Sequence, residues 1–312
     1  MEEREDIVSV EIPEEETVVQ EPVLEEKPKR RKNIYKTPTV LWVVSAIFMI
    51  YSIGLLYPLF FALNSALKKD DPTFIMHMAE LTKEPRFYNF IRAFTELEIS
   101  GVGFFDMFAN SMWFAGGTML FNVMSSAFLA YGVAKYRFKG RDKLYAFVLI
   151  IMIFPAFGTL PARYKLYSKL GFIDSPLLLL AYAGAFDGQF LILYAFFKNV
   201  DWSYAESAFL DGAGHWKVFL KIMFPMSLPA VAALCVTNFI GSWNNYSDVL
   251  LYLPNTPTLA TGLHVYNTKM MYQADRPLLY AGMIVSLIPV MLVYFTLRKT
   301  LMQMTFEGGI KG

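Results

Sequence analysis

The sequence predicts an all-α membrane protein with six transmembrane helices. Of its 312 residues, 55% are apolar and only 18% are charged, and the mean hydropathy is +0.38, too oily for a water-soluble domain. The apolar residues gather in runs of about 20, the length a helix needs to cross a hydrocarbon core of ~30 Å. These runs are apolar on every side, whereas a membrane-barrel strand alternates its faces over about 10 residues.

Residues 1–26 hold eleven Asp or Glu against Arg4, with Pro13 and Pro22 between, and cannot bury enough apolar surface to offset ordering. Residues 1–36 therefore read as a disordered cytoplasmic tail, acidic and then basic, ahead of a membrane domain at 37–312. No uncharged run of seven residues precedes residue 37, so no signal-peptide core is expected there. Lys27, Lys29, Arg30, Arg31, Lys32 and Lys36 anchor the first span on the inner side.

Spans are expected at about 39–63, 107–133, 144–161, 177–197, 228–252 and 278–298. The third is short and carries Pro155 and Pro161, which membrane helices tolerate when neighbours re-satisfy the freed carbonyls. With the N-terminus inside, the cytoplasmic connections hold 17 Lys or Arg besides Arg4. The short outer loops hold Arg163, Lys165 and Lys169, then Lys269 and Arg276; the long 64–106 loop has five basic and seven acidic residues. The positive-inside bias places both termini in the cytoplasm.

Much chemistry is excluded. There is no phosphate loop, no dinucleotide-binding glycine pattern, no H-E-x-x-H and no paired C-x-x-C. Cys235 is alone, and a net charge of +1 offers no basic excess for nucleic acid. His77, His215 and His264 are scattered without a motif, so neither a catalytic residue nor a metal site is expected. The 17 methionines, Met270–Met271 included, read as core and lipid-facing filler.

One cytoplasmic stretch, at about 199–227, stands apart. Ser203 with Glu206 three residues on reads as a capping box opening a short amphipathic helix. Asp211–Gly212 reads as its stop, with glycine supplying the left-handed conformation, and a second helix runs from His215 to Met223, ended by Pro225. The result is a helical elbow presenting Phe209, Leu210 and Trp216, which suits either a membrane surface or a partner's groove.

The stretch resembles the coupling loop of ABC importer permeases, E-A-A, three residues, G, nine residues, I-x-L-P. Glu206, Ala208, Gly212, Ile222 and Pro225 sit at those spacings, with Ser207 and Phe224 replacing an Ala and the Leu. Asp211–Gly212–Ala213, Trp243–Asn244–Asn245–Tyr246, Pro257–Thr258–Leu259, Gly262–Leu263 and the ending Glu307–Gly312 are similar to the carbohydrate subclass, specifically its maltose-type subunit, over about residues 37–312.

The resemblance implies a type I ABC importer permease fold in a prokaryotic cell membrane. Glu206 to Gly214 would lodge in an ATPase cleft, with Glu206 orienting the elbow and Gly212 making the turn; as a bare capping acid, Glu206 would need no such role. Gly308, Gly309, Lys311 and Gly312 would reach the ATPase interface or simply fray. Implied partners are a second permease subunit, two ATPases that carry ATP and Mg, and an extracytoplasmic solute-binding protein. That protein would face the stretch from Lys68 to Asp106 and the loop from Pro254 to Arg276. This chain would bind no cofactor and do no covalent chemistry.

Polar residues within spans are expensive and face a cavity or a partner helix. Asp187 and Gln189 are expected mid-span in the fourth segment, and Trp243, Asn244, Asn245 and Asp248 in the fifth. Amides and carboxylates beside an aromatic face suit sugar hydroxyls, and interhelical hydrogen bonds are the alternative. Asn122 reads as packing glue. Other solutes of the class would be a polyol, a glycerol phosphate or a uronate oligomer. A phosphate would call for Arg or Lys in the cavity, and spans two to five hold none. An intramembrane enzyme would need a positioned dyad, which Asp187 and Asp248 on separate helices do not suggest.

Overall fold

A computed structural model describes residues 39–153, 158–184, 186–269 and 275–309, with side chains described from 41 to 299 within those ranges. The tail expected at 1–36, Pro155, Met270–Met271, Lys311 and Gly312 lie outside the described residues. Almost all of the described chain is helical, the one β feature being an isolated bridge between Ile99 and Val102. The chain divides into two compact units, Met1–Ile53 and Gly54–Gly312. The described part of the first is the opening half of α1 (Thr39–Ala66), where Trp42, Ile47, Phe48 and Ile50 are exposed. A helix apolar all round is at home in lipid.

In the second unit, α4 (Phe104–Lys135) is the long central helix. Against it pack α7 (Gly188–Asn199), α11 (Leu228–Trp243) and α13 (Leu259–Lys269), while α14 (Arg276–Gly309) lies along α11 and α3 (Tyr88–Glu96). Small residues allow the close approaches. A Cβ on Gly282 of α14 would fall 2.5 Å from Leu97 Cδ1 and 2.9 Å from Leu263 Cδ2. Gly282→Ile is therefore expected to destabilise the protein by about 1–3 kcal/mol, as overpacking does, read as a lowered Tm in detergent.

Three expected spans are single helices, α1, α4 and α14, each long and apolar enough to cross a membrane. The other three are broken, which corrects the continuous helices expected from hydropathy. α5 (Arg141–Ile153) has 13 residues, and α6 (Leu160–Lys169) starts afresh with Pro161 in its first turn, where a missing N–H is harmless. The fourth run splits into a 3₁₀ helix, Pro176–Tyr182, and α7. The fifth splits into α11 and α12 (Tyr246–Tyr252). The segment His215–Met226 and α11 meet at 77° and together pass the same test as one bent crossing.

Residues 67–103 form a cap with its own polar frame. Buried Asn89 donates from Nδ2 to the carbonyls of Ala66 (2.8 Å) and Lys68 (2.7 Å), closing the end of α1. Lys68 is buried too, its ammonium donating to the His77 and Met78 carbonyls. Two ion pairs tie the cap to the start of α14, Asp71–Arg276 and Arg92–Asp275, both at 2.7 Å. Arg92 also grips Glu96 at 2.7 Å, and this hydrogen bond holds the Glu96 carboxyl below its ordinary value. Its stabilising contribution is complete above the unfolded carboxylate pKa of about 4.3 and is lost as pH falls through the lower folded value. Protection factors of the α3 amides, taken relative to the intrinsic exchange rate at each pH, should be lower near pH 3 than at pH 6, a difference that Glu96→Gln should reduce.

Candidate functional site

The elbow is built from local rules that differ from the expected ones at both ends. α8 (Ser203–Leu210) follows Trp202, and Asp201, not Ser203, serves its first turn, with Oδ1 accepting the Ser203 N–H at 2.9 Å. That bond holds the Asp201 carboxyl below its usual range. Ser203 Oγ therefore caps nothing, and Glu206 stands exposed without a reciprocal bond, which corrects the capping box. An acid two residues ahead of the helix reaches the first N–H groups as well as a serine does.

The C-terminal turn matches its expectation. Gly212 has φ +78°, its N–H donates to the Phe209 carbonyl (3.0 Å), and the Ala213 N–H reaches back to Ala208 (2.9 Å), the paired bonds of a Schellman stop. The second helix, α9 (His215–Val218), widens into a π turn at Phe219–Met223 and continues through α10 (Phe224–Met226). Pro225 therefore sits in a first turn and does not end the helix. The break falls at Ser227, where Leu228 and Pro229 open α11.

The elbow is fixed to the membrane helices. Ala205, Ala208, Val218, Phe219 and Met223 are buried in one cluster with Ala127, Ala130 and Tyr131 of α4 and Phe190, Leu193 and Phe197 of α7. The Tyr136 hydroxyl meets His215 Nδ1 at 2.9 Å, and Phe209 packs edge-on to His215 at 4.8 Å and against Trp202 at 6.0 Å. Phe209 thus faces inward, contrary to its expected place on the docking face. What projects is Leu210, 90% exposed, and Trp216, 70% exposed, on either side of the Gly212 turn. Of the motif positions, Ala208 is buried, Ala213 and Ile222 half-buried, and Glu206, Ser207, Asp211, Gly212, Gly214 and Pro225 exposed. Gly308 and Gly309 are the last helical residues of α14.

The polar residues expected along one substrate path part company. Trp243 is buried, stacked on Phe239, with Nε1 donating to the Ser286 carbonyl at 3.2 Å. One of its faces is taken by Phe239. Asn244 is exposed at the end of α11 and bonds back to Ile240, beside an opening of about 610 Å³ that Trp243, Tyr246, His264 and Asn267 also line. Asn245 caps α12, accepting the Asp248 N–H at 3.1 Å. The Asp248 carboxylate takes the Tyr182 hydroxyl (2.9 Å) and the Asn245 amide (3.0 Å).

Asp187 sits at the break in the fourth run. It caps α7, accepting the N–H groups of Gln189 (3.0 Å) and Phe190 (3.4 Å), where the helix dipole favours a negative charge. Gln189 bridges to Asn238 at 3.1 Å, the interhelical use of an amide. Asp187 also lines a second opening, of about 330 Å³, with Asn122, Arg163, Tyr167, Tyr182 and Tyr252. Arg163 lies outside the apolar runs and was assigned to a loop. α6 carries it to this opening.

An apolar scaffold of broken and continuous spans, with a rigid elbow of this spacing, has counterparts among known proteins. Residues 122–303, more than half of the chain, match the family of binding-protein-dependent transport system inner membrane components. The chain belongs to that family. It is 28% identical over 269 residues to the diacetylchitobiose uptake system permease protein NgcG of Streptomyces coelicolor, covering 84% of this chain and 86% of that one. It is 27% identical to the arabinooligosaccharides transport system permease protein AraQ of Bacillus subtilis, covering 85% and 94%. Its fold is similar to a chain in the crystal structure of a bacterial ABC transporter involved in the import of alginate, an acidic polysaccharide. The TM-score is 0.67 with 20% identity, over 85% of this chain and 98% of that one.

Sequence reasoning missed the seating of the elbow in this family member. Tyr136 and His215 are 79 residues apart, and no local pattern links them. Asp187–Gly188 ahead of Gln189, by contrast, carries an N-cap signal that the surrounding hydropathy hides.

Proposed function

We propose that this chain is the transmembrane permease subunit of an ATP-driven importer for a sugar or oligosaccharide delivered by an extracytoplasmic solute-binding protein. The observation that carries the reading is the elbow, a Schellman-closed turn seated on α4 and α7 with Leu210 and Trp216 projecting at its tip. Exposed apolar anchors on a rigid support are what a partner's groove selects. Residues Glu206 to Gly214 dock in a cleft of an ATPase subunit, and Ala208 and Ile222 fasten the elbow to the bundle.

The complete assembly has a second, non-identical permease, two ATPases holding ATP and Mg, and the binding protein. Closure of the ATPases draws the elbows together and rocks the helices between inward- and outward-facing arrangements. The chain crosses a prokaryotic cell membrane six times, with broken helices counted as spans and both termini cytoplasmic. Gly308, Gly309, Lys311 and Gly312 contact the ATPase. The permease itself makes and breaks no covalent bond.

Carbohydrate relatives over most of the chain support a saccharide cargo. A polyol, glycerol phosphate or uronate oligomer is the second reading, and Arg163 in the smaller opening favours the anionic ones. The test is ATP-dependent uptake into proteoliposomes holding the purified assembly and its binding protein, with labelled neutral oligosaccharides, uronate oligomers and glycerol phosphate. Uptake of a neutral saccharide is expected, and uptake of none of these solutes would refute the reading.

A further inference from the structure

The opening between α4, α6, α7 and α12 is better furnished than packing requires. The Tyr252 side chain is buried, yet its hydroxyl has no hydrogen-bond partner among the described residues, and neither has Asn122 Oδ1. Both residues line the opening. A buried polar atom without a partner is costly and uncommon, and a residue serving only to fill space would be phenylalanine or leucine.

The surroundings hold these groups in place. The Asp174 N–H donates to the Tyr252 carbonyl at 2.8 Å, and the Asp174 carboxylate accepts the Asn255 N–H and amide at 3.1 and 2.5 Å. This clasp fixes the end of α12. Tyr252 lies edge-on to Tyr167, with ring centroids 5.0 Å apart. The Tyr182 hydroxyl is spent on Asp248, so Tyr182 offers its ring. Arg163 forms no ion pair among the described residues, and one carboxylate oxygen of Asp187 accepts the backbone N–H bonds of α7.

We infer that this opening is a saccharide subsite belonging to this chain, with Tyr252 and Asn122 bonding sugar hydroxyls, Arg163 and Asp187 flanking them, and the Tyr167 and Tyr182 rings walling the site. Its volume, about 330 Å³, falls within the ordinary range of small-molecule sites. Hydroxyl-rich solutes are recognised by donors and acceptors of both kinds beside aromatic rings. The opening supplies an amide oxygen, a phenol, a guanidinium and a carboxylate, a set matched to an oligosaccharide and poorly matched to an apolar solute. The wider opening near Asn244 has Leu55, Leu59 and Leu287 in its walls and no unpartnered buried polar atom among its described residues.

The inference rests on the importer reading, and the test keeps the two apart. The assembled permease–ATPase complex, held in lipid nanodiscs without its binding protein, is dialysed to equilibrium against tritiated chitobiose, arabinotriose and maltotriose. Import of the same sugars is measured in proteoliposomes with the binding protein. Tyr252→Phe removes a hydroxyl whose one polar neighbour is the Arg163 guanidinium, too far for a full hydrogen bond, so assembly and Tm should change little, while affinity for the bound sugar falls about fivefold to tenfold, the loss of one hydrogen bond. Asn122→Leu should lower the affinity likewise. Sugar binding of equal strength in wild type and both variants overturns the subsite. So does import of a sugar that the complex does not bind without its binding protein. Import of none of the three sugars overturns the saccharide reading, and the subsite with it.

Discussion

Replacing Gly212 by proline should leave the chain in the membrane and in its complex, but reduce ATP hydrolysis stimulated by the loaded binding protein to its unstimulated rate. Gly212 holds φ +78°, which proline cannot adopt. Proline also deletes the N–H that donates to Phe209. The two effects act together on the turn that sets the angle between α8 and α9. A Cβ at this position would meet nothing within 4 Å, so the defect is one of backbone conformation. Gly212→Ala is the graded control. It meets only the left-handed penalty, about 1–2 kcal/mol, and should retain part of the stimulation. Full stimulation in the proline variant would remove the elbow from the coupling path.

The second large effect is expected at the tip. Leu210 and Trp216 are 90% and 70% exposed, and substitutions at exposed positions usually change stability by less than ~0.5 kcal/mol. Leu210→Asp and Trp216→Ala should therefore express and insert normally. If both side chains fill an ATPase cleft, each should still weaken recovery of the ATPase with the tagged chain by about thirtyfold, the effect of losing a ~2 kcal/mol hot spot. The pair gives a further contrast. Phe128 lies edge-on to Trp216 at 5.6 Å, so Trp216→Ala also loses an intramolecular contact, and Leu210→Asp is the cleaner probe. Phe209→Ala should behave differently, lowering Tm, because Phe209 packs on Trp202 and His215.

Much of the elbow was legible in the sequence because its signals are local. A glycine at a helix stop imposes a left-handed turn whatever surrounds it, and the spacing from Glu206 to Pro225 is a fixed ruler. The errors there were also local. Asp201 accepts the Ser203 N–H and so places Ser203 inside the helix, and a π turn carries the helix through Pro225. Hydropathy found α1, α4 and α14, because a long uninterrupted helix and a long apolar run are the same thing in lipid.

The same signal could not show the breaks in the fourth and fifth runs. Apolar residues flank a 3₁₀ helix or a capped interruption just as they flank a continuous helix, so the sequence did not show that Asp187 and Asn245 also serve as helix caps. The packing of Trp243 was hidden for a related reason. An aromatic ring among amides suggests a sugar platform, but only tertiary packing shows that Phe239 takes one face and the Ser286 carbonyl the indole N–H. Arg163 was assigned to a loop by its position, and the polar lining of the smaller opening went unseen because its parts come from residues 122, 163, 187 and 252, far apart in the chain.

The most direct test of the elbow as the coupling segment is photocrosslinking from a benzoylphenylalanine placed at Leu210, in membranes of the native host, followed by mass spectrometry of the adducts. A phosphate-loop ATPase is the expected adduct, lost when Gly212→Pro is added. Adducts confined to lipid, with the chain correctly inserted and no ATPase recovered, would contradict the account and leave the elbow as a membrane-surface hairpin.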